Sequence, residues 1–239
     1  MTSKSTSDFV TKIIIFYFSI AIVAVFAEVF SYKPLIVLSR IVLPIILMLL
    51  YYLKSQKKDI LFYIIIILFL ITNILFIVEN SQLFLYGIII FMFHRIFAIY
   101  LILKLNPKNN YLLILLATFP FLLIFFCLIY EINEGSTLNF NILIVQSILI
   151  SILGGVSLSN YIKDDNRQNS WLLISTLLFI GLRFIVFVEK YYLPNDELNV
   201  FRPMETLLTV FGFFTFYKFV IAAENNNVDL IKSLKEDAK

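Results

Sequence analysis

The sequence predicts an all-α polytopic membrane protein with eight transmembrane helices. Three observations lead there. Of the 239 residues 61% are hydrophobic, only 15% are charged, and the apolar residues gather in long runs separated by short polar segments. A soluble domain carries roughly 45–50% apolar and about 25% charged residues. Mean hydropathy is +0.94. This composition excludes a soluble enzyme, a nucleic-acid binder and a disordered chain. The runs do not alternate apolar with polar positions as barrel strands do. In lipid every backbone polar group must be satisfied internally, so the runs read as helices.

A bilayer core of about 30 Å takes about 20 residues per helix, and the runs meet that length in order. The first, 9–30, follows Lys4 and Lys12. It is too long for a signal-peptide core and Ala24-Val25-Phe26-Ala27 is not a cleavage site, so it reads as a retained helix. The second, 34–53, follows after only 31–33, and the third is 60–78. The fourth, 83–104, follows the short segment 79–82, and the fifth is 111–130. The sixth, 138–158, follows 131–137 and carries Gly154-Gly155, a helix-packing or bending site. The seventh is 171–188 and the eighth 204–222. The three short connections require antiparallel neighbours. One domain therefore covers 1–222, and a polar tail, 223–239, follows. Leu230, Ile231 and Leu234 share one helical face of that tail, so it either lies on the membrane surface or is a solvated end. Cys127 lies inside an apolar run and reads as a small packing or lipid-facing residue.

Orientation follows from Lys and Arg near the span ends. On the side of the N-terminus lie Lys4, Lys12, Lys54, Lys57, Lys58, Lys104, Lys108, Lys163, Arg167, Lys232, Lys235 and Lys239. On the other side lie Lys33, Lys190 and Arg202. Twelve against three places both termini in the cytoplasm of a cell with an inner membrane. Tyr51, Tyr52, Tyr111 and Trp171 fit an inner aromatic belt; Tyr32, Tyr130, Tyr191 and Tyr192 fit an outer one.

The third and seventh spans share a pattern. Leu68, Phe69, Val78 and Glu79 match Leu178, Phe179, Val188 and Glu189 without a gap. Spans four helices apart run in the same direction, which points to two parallel four-helix repeats. Asn73 and Arg183 then hold equivalent positions and are expected to approach one another.

A charged side chain at a helix centre costs about 2.5–3.5 kcal/mol on insertion scales. Arg40, Asn73, His94, Arg95, Gln146, Arg183, Glu205 and Lys218 lie within spans, with Glu28 and Lys33 near outer ends. One reading is a polar cavity opening outward; the other is snorkelling cations and hydrogen bonds between helices. Lys218 sits near an inner end and snorkels; Glu205 begins its span and can face water. Lys33, Arg40 and Arg183 in the outer half suit the phosphate of a phospholipid head group. His94, the single histidine, is either a hydrogen-bonded core residue or the side chain that trades protons near neutral pH. No metal-ligand cluster, nucleophile motif or phosphate loop occurs, so neither a metal nor a cofactor is expected.

Lys33-Pro34-Leu35, then Gly87, Phe91, His94 and Tyr100 in the fourth span, then Thr215-Phe216-Tyr217 in the last, resemble motifs of the YhhN family of membrane proteins, which includes lysoplasmalogenases. The resemblance covers most of the chain. It implies binding of a lysophospholipid or related single-chain lipid in an outward-facing intramembrane cavity, with Lys33, Arg40, Asn73, His94, Arg183 and Tyr217 as binding candidates. It also implies hydrolysis of a vinyl ether, which needs a proton donor and an activated water. Here the chain departs: Thr72-Asn73 stands for the family's Gly-Asp, and Leu182-Arg183 for its Ser-Asp. Asn is no carboxylic acid and Arg does not deprotonate in proteins. The lipid-binding reading therefore carries over and little hydrolysis is expected. An active hydrolase would draw on His94 with Glu28 or Glu205. A small transporter or sensor is the third reading, although no span pair is clearly broken as in many transporters. Membrane lipids are the expected partners; oligomeric state is open.

Overall fold

The computed structural model describes residues 3–78, 80–106, 110–130, 138–191 and 200–236. They form eight helices: α1 (Ser3–Val29), α2 (Lys33–Lys54), α3 (Ile60–Ile77), α4 (Ser81–Leu105), α5 (Tyr111–Tyr130), α6 (Leu138–Lys163), α7 (Arg167–Tyr191) and α8 (Phe201–Glu236). All eight are long and apolar enough to cross a bilayer, as a multi-pass membrane protein requires. Most run beyond the apolar runs that announced them, because a helix continues into its polar flanking turns. α8 passes residue 222 without a break, so the segment drawn as a tail begins as helix. The side chains of Leu230, Ile231 and Leu234 lie outside the described ones, as does the connection 131–137.

Local chemistry sets several helix ends. Between α1 and α2 the chain turns at Ser31, whose φ of 53° is left-handed. The Ser31 N–H donates to the Glu28 carbonyl and the Tyr32 N–H to that of Ala27, the paired bonds of a Schellman end. Asp59 caps α3 by accepting from the Leu61 N–H. Asn80 caps α4 by accepting from Gln82 and Leu83.

Consecutive helices pack as antiparallel hairpins, except that among the described residues α4 and α5 do not pack on one another. α8 also packs on α1, α2 and α4, and α6 on α4. Exchanging the first four helices for the last four maps almost every packed pair onto another: α2 with α8 becomes α6 with α4, and α4 with α8 maps onto itself. α1 with α8 has no counterpart. Among the described residues α3 and α7 do not pack together. The expected approach of Asn73 and Arg183 is therefore corrected: α4 and α8, not α3 and α7, meet where the two halves join.

α6 and α8 are the most enclosed helices. α6 is suited to this by its buried Ser147, Ser151, Gly154, Gly155, Ser157 and Ser159. Small residues let membrane helices approach closely. A Cβ on Gly155 would overlap Thr118 Oγ1 and stand 2.8 Å from Thr118 Cα, so Gly154-Gly155 is a seat for α5. Aromatic rings fill the centre, with Phe69 and Phe213 at 3.9 Å and Tyr51 and Phe62 at 4.1 Å between centroids. Large apolar side chains such as Leu115, Leu116, Phe119 and Phe126 stay exposed on α5. That is costly in water and ordinary in lipid.

The end carrying both termini is tied by hydrogen bonds. Buried Glu224 of α8 accepts from the Tyr51 and Ser55 hydroxyls, and Tyr51 Oη in turn accepts from the Asp59 N–H at 2.8 Å. Asp59 pairs with Lys104 at 2.6 Å. Asn106, Gln168 and Asn226 form a further chain across α7 and α8.

Candidate functional site

Charged groups from four helices converge at the opposite end, away from the termini. The Ser31 turn lays the end of α1 against the start of α2. Glu28, 4% exposed, accepts from Arg40 Nη2 at 2.9 Å. A buried carboxylate is tolerated only when paired in this way. Glu205, in the first turns of α8, is half-buried, and its carboxyl neighbours that of Glu189 near the end of α7. The charges of Arg40 and Glu28 also act on Glu205. One ion pair and one carboxyl pair thus share a site built from α1, α2, α7 and α8. Lys33 and Arg202 are exposed at the heads of α2 and α8.

Asn73 reaches this region from α3, and its role is structural. α2 contains Pro44. Proline has no N–H, so it leaves the carbonyl four residues back, that of Arg40, without its helical donor. Asn73 Nδ2 donates to that carbonyl at 3.2 Å. Re-satisfying backbone freed by proline is what permits proline in a membrane helix.

Other predicted residues lie elsewhere. His94 stands at the middle of its span, 5% exposed, and is brought to neither Glu28 nor Glu205. Its ring stacks on Phe91 at 5.1 Å and faces Phe69 and Phe213. Neither ring nitrogen has a hydrogen-bond partner. Arg183 is half-buried, and its charge acts on Arg95 of α4. Tyr217 is buried near Phe214 and Lys218, twelve residues or about 18 Å along α8 from Glu205. The end away from the termini therefore gathers Glu28, Arg40, Asn73 and Glu205, while His94 and Tyr217 stand apart from them.

Glu189 is the residue the sequence reading missed as a site member. It lies six residues beyond Arg183, about 120° round α7, and in the sequence it stands out only as the match of Glu79. Its pairing depends on how α7 folds back on α8, which no local pattern announces.

A carboxyl pair can share one proton between an acid and a base. An arginine beside it offers donors to an anion. Among the described residues no group of three metal-ligating side chains occurs. No family model, no curated protein and no solved structure matches the chain.

Proposed function

We propose that the chain is a multi-pass protein of the inner membrane, both termini cytoplasmic, which binds a single-chain lipid of the lysophospholipid class at its outer end. The observation that carries this reading is the convergence of Glu28, Arg40, Glu189 and Glu205 at the end opposite the termini. A zwitterionic head group presents an anion and a cation together. Arg40, with Lys33 and Arg202 at the rim, offers donors to a phosphate. The carboxyl groups accept from an ammonium. Exposed Phe26, Phe30, Leu35 and Leu38 at the same ends of α1 and α2 provide an apolar wall for the alkyl chain. The resemblance to the YhhN family, through Lys33-Pro34-Leu35 beside this site, supports the same ligand class. The test is mass spectrometry of lipids that co-purify with wild-type protein and with Arg40→Gln. Single-chain phospholipid should be enriched over two-chain lipid in the wild type and return to the bulk ratio in the variant. No enrichment in the wild type would refute the reading.

The carboxyl pair favours a second reading, hydrolysis of a lysoplasmalogen. One carboxyl would protonate the alkenyl carbon and the other would direct water at the resulting oxocarbenium ion, releasing a fatty aldehyde. Aldehyde release by the wild type, reduced about 10²–10⁴-fold in Glu205→Gln, would establish it. Lipid retention without aldehyde would leave binding as the function.

A further inference from the structure

We propose that the middle of the bundle holds a small monovalent anion of the halide class, bound between Arg95 and His94. A cavity of about 20 Å³ lies there, walled by α4, α6, α7 and α8. His94, Arg95, Ser175, Thr176 and the rings of Phe91 and Phe213 line it. Such a volume takes one particle little larger than a water molecule. None of Glu28, Arg40, Glu189 and Glu205 lines it, so this site is separate from that cluster.

The charge in the wall selects the particle. Arg95 is 5% exposed in the middle of the apolar span Gln82–Leu105. Its Nη1 donates to the Gln146 carbonyl at 3.0 Å, and its guanidinium lies over the Phe91 ring at 4.7 Å. No carboxylate of the described residues is in ion-pair contact with it. The neighbouring charge that acts on it, Arg183, is also positive. A guanidinium buried without a counter-charge is strongly destabilising, and a water molecule does not supply one. An anion in the cavity does. His94, whose two ring nitrogens find no protein partner, stands in the same wall. Gln146 Nε2 donates to the Ile88 carbonyl at 3.1 Å, which pins α6 to α4 and holds the Arg95 partner in place.

The test melts the purified protein in sodium chloride, sodium bromide and sodium gluconate at equal ionic strength. A halide site predicts a higher midpoint in chloride and bromide than in gluconate. The rise should be about 3–5 °C per tenfold of halide above its dissociation constant. Arg95→Gln should melt alike in all three salts. Where that variant does not fold, bromide supplies a reading on the wild type: crystals grown with it should show an anomalous peak between Arg95 and His94. Equal melting of the wild type in the three salts, or bromide found only elsewhere, would overturn the proposal.

Discussion

Asn73 carries the sharpest lesson about single residues. An amide in an apolar helix looks like a ligand-binding group, and the YhhN resemblance points to an acid at the same place. The structure instead gives it the Arg40 carbonyl, which Pro44 leaves without a donor. Asn73→Asp replaces the donor by a group that only accepts when ionised, so the carbonyl is orphaned and faces a like partial charge. The expected loss is about 1–3 kcal/mol, the cost of an unsatisfied buried acceptor. Pro44→Ala returns the backbone N–H to the Arg40 carbonyl. In that background the loss caused by Asn73→Asp should fall to less than half, as coupled residues require. Melting midpoints of the four proteins give the cycle. Equal losses in both backgrounds would mean that Asn73 serves something else.

The helices differ in how firmly they are held, and glycine positions show it. α5 packs on α6 alone among the described helices. Gly155 permits that contact, since a Cβ there meets Thr118 backbone at 2.8 Å. Backbone cannot rotate aside as a side chain can. Gly155→Ala should cost about 1–3 kcal/mol by overpacking, and Gly155→Leu should detach α5. Gly181 of α7 is the control. A methyl group added there would meet Leu208 Cδ1 at 3.8 Å, an ordinary contact. Gly181→Ala should therefore be neutral or gain about 0.5–1 kcal/mol, the usual helical preference for alanine. Thermal unfolding of both variants, with a cysteine crosslink between α5 and α6 as the local probe, decides the matter. Equal behaviour of the two alanine variants would refute the close-contact account.

For the molecule as a whole, an even number of helices puts both termini at one end, which the structure shows through α1 and α8. Which side of the membrane that end faces rests on the cation bias of twelve to three. Reporters fused after residues 57, 107, 165 and 239 should read as cytoplasmic. Reporters at 80, 133 and 196 should read as external. A C-terminal fusion that reports the outside would reverse the orientation and move the Glu28–Arg40 site to the cytoplasmic face.

How much of this was readable from residues alone divides along one physical line. Hydropathy is a local sum, and lipid forces every spanning segment to satisfy its own backbone, so eight helices, their order and their antiparallel hairpins follow from the amino acids. The placement of Glu28, Arg40, Asn73 and Glu205 towards the end away from the termini is also local, because each sits a known number of turns from a span end. Partnership is not local. Tyr51 and Glu224 meet across 173 positions, and Glu189 meets Glu205 through the way two helices lean together. His94 and Arg183 were expected among the ligand-binding groups. The packing of α4 against α6 and α8 buries His94 with Arg95 in the middle of the bundle, apart from the Glu28–Arg40 pair, and the Arg183 charge acts on Arg95. An apolar pattern says that a helix has a buried face, but helix packing alone decides which polar group waits on the other side.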